Sequence, residues 1–189
     1  MIIKKKYFLI IESIKDIDLK NIKKRHKFSI IYRNKKSADN LTELQKFRKS
    51  CKSKSVEFFV GNDLKLAVKL ESDGIYLSSY NSNLKVLSYK KSNFKVIGSA
   101  HNFREINTKN KQGCGSILFS KLFFVNYDTQ SPYLGVIKFN KLLKDNKNLI
   151  PLGGINLNNV NNLKNIDCKG FALMSEVKKK PAKIFSRLF

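Results

Sequence analysis

Arg33 and Lys35 stand two residues apart at the end of the apolar run Phe28–Arg33. Two cations so placed are suited to gripping a phosphate or diphosphate, a charge-assisted contact that needs fixed donors rather than bulk. A second phosphate-compatible feature is the pair Gly153-Gly154. With no side chain at either position, main-chain N–H groups can approach an anion closely, and Ser175 could add a hydroxyl at the start of a last short helix. Other polar residues also fall where apolar runs end: Asn62 and Asp63 after Val56–Val60, Asn81 after Gly74–Leu77, and Ser99 and His101 around the end of Lys95–Ser99. Asn62, Asp63 and Asn81 read either as helix caps or as groups that meet a ligand. His101 reads as a hydrogen-bonding residue that fixes its loop.

These residues need a frame that gathers run ends, and the chain supplies a regular one. Eight apolar runs are candidate strands: Tyr7–Ile11, Phe28–Arg33, Val56–Val60, Gly74–Leu77, Lys95–Ser99, Ser116–Leu122, Leu149–Gly153 and Gly170–Met174. Most are nearly continuous rather than alternating, as parallel strands covered on both faces should be. Between them lie segments with helical spacing, with Leu41, Leu44, Phe47 and Cys51 on one face, then Leu64, Ala67 and Val68, then Val136, Phe139 and Leu143, and last Ala182, Phe185 and Phe189. Ser37-Ala38-Asp39 and Asn62-Asp63 offer N-cap chemistry before two of these. Strands alternating with helices predict a parallel sheet, and eight units predict a compact α/β fold, the (β/α)8 TIM barrel. With 189 residues the chain is short for that fold, so tight crossovers are expected. No linker composition interrupts it, and one domain over residues 1–189 is expected.

Composition bounds the function classes. At 42% hydrophobic residues, with 14 Phe and 7 Tyr, the chain can bury a core and is not a disordered tail despite its net charge of +24. No apolar run reaches the roughly 20 residues of a membrane span, and the apolar run Tyr7–Ile11 is too short for a secretory signal. Cys51, Cys114 and Cys168 lack metal-site or disulfide spacing. A reducing, cytoplasmic setting is therefore expected. The lysines are spread over almost every segment, in runs no longer than Lys4–Lys6, Lys23–Arg25 and Lys178–Lys180. They read as a solvated surface, not a nucleic-acid footprint, and no zinc-finger, RRM or KH pattern accompanies them. Such a surface would still favour phosphorylated small molecules.

In order and spacing, Phe59-Val60-Gly61-Asn62-Asp63, Asp73-Gly74-Ile75-Tyr76-Leu77, Ile97-Gly98-Ser99-Ala100-His101-Asn102, Pro151-Leu152-Gly153-Gly154-Ile155-Asn156 and Gly170-Phe171-Ala172-Leu173-Met174-Ser175 resemble the motifs of the thiamine phosphate synthase/TenI superfamily. The resemblance implies coupling of a hydroxymethylpyrimidine diphosphate to a thiazole phosphate in thiamine biosynthesis. Diphosphate would depart first, and the thiazole nitrogen would capture the pyrimidine cation. It implies that Arg33 and Lys35 hold the diphosphate with help from Ser99, and that Gly153, Gly154, Met174 and Ser175 hold the thiazole phosphate. Family synthases hold Mg²⁺ through carboxylates after strands 3 and 4; those positions are Asn62 and Asn81 here, with Asp63 one residue from the first. Mg²⁺ would then be carried mainly by the diphosphate. Asp128 falls where the synthases have a loop lysine, and Lys121 where the tautomerase branch has its histidine. A barrel that binds phosphorylated thiamine precursors without turnover, as carrier or regulator, is the alternative implied by these departures.

Overall fold

The computed structural model describes residues 6–22, 26–34, 39–89, 92–126, 130 and 132–179. The eight expected strands are all present: β1 (Lys6–Ile11), β2 (Phe28–Tyr32), β3 (Glu57–Gly61), β4 (Gly74–Leu77), β5 (Lys95–Ala100), β6 (Ser116–Ser120), β7 (Leu149–Leu152) and β8 (Gly170–Leu173). All pairings are parallel, in the order β7-β6-β5-β4-β3-β2-β1-β8. Strands β7 and β8 come into contact and complete the ring. The fold is a (β/α)8-type barrel.

Five α-helices follow β2, β3, β5, β6 and β8: α1 (Leu41–Ser53), α2 (Leu64–Lys69), α3 (Phe103–Lys111), α4 (Gly135–Asp145) and α5 (Ser175–Lys179). The crossovers after β1, β4 and β7 carry only 3-10 turns among the described residues, at Ile14–Asp16, Leu19–Asn21, Lys85–Ser88 and Val160–Asn165. Dropping three helices is how eight strands close within so short a chain, and it corrects the expectation of eight strand–helix units. After β4 the turn leaves an open cavity of ≈ 550 Å³ between α2 and Lys85–Ser88. The N-cap of α1 is Asn40, which forms a reciprocal capping box with Glu43. Asp39 instead accepts hydrogen bonds from Ser13 Oγ and Ile14 N, tying the β1 crossover to the start of α1. His26 lies in a turn with φ 64°. The final apolar face at Ala182, Phe185 and Phe189 lies outside the described residues.

Two separate apolar clusters follow from the alternation of side chains along parallel strands. The inner one draws on every strand: Phe8 and Ile10, Ile31, Phe59, Tyr76, Ile97, Leu118, Ile150 and Ala172. The outer one packs Tyr7, Leu9, Ile11 and their counterparts against the helices through Leu44, Ala67, Ile106 and Phe139. Below the inner cluster lies a charged group at the starts of β1, β3 and β5. Glu57 pairs with Lys6 and Lys95 and accepts from Ser29 Oγ at 2.8 Å. Burial alone would raise the Glu57 pKa, but hydrogen bonds from Lys6, Lys95 and Ser29 outweigh it and hold the carboxyl at about 2, against an ordinary 4.5.

A carboxylate whose pKa is depressed on folding stabilises the fold above its unfolded value and loses that contribution as pH falls toward its folded value. The melting-temperature gap between wild type and Glu57→Gln is therefore expected to be full above pH 4.5 and to shrink as pH approaches 2. Thermal melts of both proteins across that window check it; a gap independent of pH would contradict the pairing.

Candidate active site

The C-terminal ends of the strands gather the polar residues at one mouth, because in a closed parallel barrel all strand ends of one sense face the same way. Three of them are in contact. Tyr76, almost fully buried on β4, donates from its hydroxyl to Ser99 Oγ at 2.8 Å and interacts with the Arg33 side chain just beyond β2. Burial pushes the Tyr76 phenol pKa up, against the lowering effect of Ser99 and Arg33. The phenol thus stays a neutral donor, and Ser99 Oγ, which accepts from it, keeps its own proton to donate. Lys35 and Asp128 lie outside the described residues.

The second group lies at the ends of β3 and β4. Asn62, in left-handed conformation at φ 58°, donates from Nδ2 to Ser78 Oγ at 2.6 Å and to the Tyr80 hydroxyl at 3.1 Å. Its Oδ1 accepts from Ser78 N and Asn81 Nδ2, both at 3.0 Å. Asn81 Oδ1 accepts from Asn83 N at 3.0 Å, and Asp63 Oδ1 caps α2 by accepting from Leu66 N at 2.9 Å. Asn62 Oδ1, Asn81 Oδ1 and Asp63 Oδ1 thus each accept from a side-chain or backbone N–H. Among the described residues no group of three or more His, Cys, Asp or Glu side chains could hold a metal ion. A hard cation such as Mg²⁺ wants charged or available oxygens in octahedral array. The donor set at Asn62, Asp63 and Asn81 does not fit one.

The third group is the turn after β7. Gly153 and Gly154 have φ of 91° and 70°. A Cβ at Gly154 would lie 2.4 Å from Phe123 O and 2.5 Å from Phe124 O, and one at Gly153 would lie 2.9 Å from Lys121 Cβ. Both glycines are demanded by conformation and by the close approach of the β6 loop, whatever they bind. Asn159 Nδ2 donates to Gly154 O at 2.7 Å and holds the turn from the far side. Met174 packs on the inner apolar cluster at the end of β8, and Ser175 is exposed at the start of α5. Between the first and third groups, His101 Nδ1 meets Ser120 Oγ at 2.8 Å and His101 N donates to Glu105 Oε2 at 2.7 Å, so His101 links the ends of β5 and β6.

Sequence reasoning passed over Tyr76 and Ser120, although both lie on inward positions of their strands, and over Lys109. Lys109 and Gln112 are completely buried, against the reading of the lysines as a solvated surface. Lys109 Nζ donates to Asn81 O at 2.6 Å and to Gln112 Oε1 at 3.0 Å, and Gln112 Nε2 donates to Asn81 O and Asn83 O at 3.0 and 2.9 Å. Burial lowers the Lys109 pKa. No spacing announces this residue, whose ammonium nitrogen ends on a carbonyl of the loop after β4.

Residues 13–177 match the family model described as thiamine monophosphate synthase, TMP-TENI. The chain belongs to that family. Among its relatives are two thiamine-phosphate synthases of Prochlorococcus marinus, one from strain SARG at 28% identity over 152 residues and one from subspecies pastoris at 32% over 139. These matches cover 78% and 72% of the chain but only 44% and 40% of the relatives' own length. The chain thus spans about two fifths of those proteins. A thiamine phosphate pyrophosphorylase from Pyrococcus furiosus superposes with a TM-score of 0.74 at 18% identity, covering 99% of this chain and 98% of that one. That likeness establishes the shared barrel. No helix among the described residues is long and apolar enough to cross a membrane.

Gly154→Ala is expected to cost about 2 kcal/mol of stability, since it combines a left-handed L-residue with a clash against backbone. Denaturant unfolding measures it. A variant as stable as wild type would mean that the β6 loop does not approach as described.

Proposed function

We propose that the mouth of this barrel joins a hydroxymethylpyrimidine diphosphate to a thiazole phosphate, releasing diphosphate and forming thiamine phosphate. The observation that carries this reading is the Arg33–Tyr76–Ser99 cluster, set at the same end of the barrel as the Gly153-Gly154 turn and Ser175. One end of the mouth presents a guanidinium and hydroxyl donors to a departing diphosphate. The other presents main-chain amides and a hydroxyl to a phosphate monoester. In the reaction proposed, the methylene C–O bond breaks and its electron pair leaves with the diphosphate. The thiazole nitrogen lone pair then forms the new C–N bond. Such a dissociative step is accelerated by donors fixed in advance where negative charge grows, and the Arg33 guanidinium lies beside the Tyr76–Ser99 pair to serve as one. Family membership over most of the chain supports the same substrates. A divalent cation, where used, arrives with the diphosphate and not in a carboxylate cage.

Incubation with both precursors, reading thiamine phosphate by fluorescence after oxidation, is expected to give product. Saturable binding of thiazole phosphate without product would instead make the chain a carrier. In the active protein Arg33→Ala is expected to lower kcat/KM by about 10²-fold, the scale for losing one preorganised donor to a developing anion. Steady-state kinetics on the variant check it; an unchanged value would remove Arg33 from the reaction.

A further inference from the structure

The mouth holds one feature that neither phosphate site explains, a lysine and a glutamine buried to zero exposure directly behind the loop that follows β4. Burying an ammonium is costly unless its hydrogen bonds are satisfied, so a sequence keeps one where its bonds achieve something an apolar side chain cannot. Here the side chain crosses from α3 over Gly98, whose Cβ would come within 2.7 Å of Lys109 Cδ, and ends on the Asn81 carbonyl at 2.6 Å. Gln112 grips the same carbonyl at 3.0 Å and the next but one, Asn83 O, at 2.9 Å. The loop so held has no α-helix of its own: among the described residues between β4 and β5 the only regular element is the turn Lys85–Ser88. From the other side, Asn81 Nδ2 reaches Asn62 Oδ1, and Asn62 Nδ2 orders Ser78 Oγ and the Tyr80 hydroxyl. The chain of contacts runs unbroken from α3 through Asn81 and Asn62 to Tyr80, whose side chain is largely solvent-exposed at 82%.

We propose that Lys109 and Gln112 are positioning residues that lock the loop after β4 into a neutral hydrogen-bonding edge, Asn62–Ser78–Tyr80–Asn81, which meets the diphosphate-bearing heteroaromatic substrate directly and binds no divalent cation of its own. The proposal deepens the synthase reading and rests on it for the identity of the substrate. Two physical consequences follow from the arrangement. The oxygens a cation would need are already accepting: Asn62 Oδ1 takes two bonds, Asn81 Oδ1 one, and Asn81 O is claimed by the ammonium itself. Lys109 Nζ and Gln112 Nε2 also back the edge with hydrogen-bond donors, a polarity that disfavours a cation there. The exposed face of Tyr80, pinned through its hydroxyl, is the part of the edge suited to stacking on a flat ring.

The test uses three readouts on the full chain. In ligand-free protein, amide hydrogen exchange at Ser78, Asn81 and Asn83 is expected to quicken about tenfold in Lys109→Met and in Gln112→Leu, with exchange in β5 unchanged. The same variants are expected to bind the pyrimidine diphosphate about tenfold more weakly while binding thiazole phosphate as wild type does, a split that general destabilisation would not give. Titration of ligand-free wild type with Mn²⁺, followed by electron paramagnetic resonance of the free ion, is expected to show no saturable site. Unchanged exchange in both folded variants, equal weakening of both ligands, or a saturable Mn²⁺ site lost in Asn62→Ala each overturns the proposal. If wild type binds neither precursor, the synthase reading fails, while exchange and Mn²⁺ titration still decide whether the edge is locked and metal-free.

Discussion

Closing eight parallel strands in 189 residues is the constraint from which the rest of this molecule follows. Parallel strands must be covered on both faces and joined by crossovers, and the ring has no edge at which to economise. Among the described residues three crossovers carry only 3-10 turns, and the longest helices are α1 and α4. Interior cover comes from one or two side chains of each strand, with the Glu57–Lys6–Lys95 group at the lower end.

The same economy shapes the mouth. A loop without its own helix needs another support, and α3 supplies it through Lys109 and Gln112. A carboxylate pair at Asn62 and Asn81 would draw the ammonium or a metal; the two amides bond each other and leave the loop neutral. The polar residues at the β3–β4 end thus form one hydrogen-bonded arrangement. At the β7 end, Gly153 and Gly154 are held by the β6 loop and by Asn159, so the turn survives for packing reasons that act alongside any anion.

Much of this was legible in the chain. Each strand was announced by an apolar run, and the ends agree to within one or two residues because continuous Val, Ile, Leu and Phe have few other places to go. Helices α1, α2 and α4 showed their faces through Leu44, Ala67 and Phe139. Helix α3 did not, since Phe103–Lys111 carries Ile106 as its sole buried apolar residue; its signal was the cap, Asn102 with Glu105 three residues on. At the site, motif spacing singled out Arg33, Ser99, Asn62, Gly153 and Ser175, but not that Tyr76 joins the first two or that the amides pair with each other. Those contacts cross between strands, and single-residue spacing does not encode which long-range partners meet. Lys109 was hidden for a simpler reason: in a chain with 38 Lys and Arg nothing marks one that is buried.

The proposed chemistry needs one mouth with two anion-binding ends, each built from its own residues. Titration of each precursor separately into isotope-labelled protein, reading amide chemical shifts, tests it most directly. The pyrimidine diphosphate should move Arg33, Ser78, Asn81 and Ser99, and thiazole phosphate should move Gly153, Gly154 and Ser175. Shifts from both ligands on one set alone, or spread over surface lysines far from the strand ends, would contradict it.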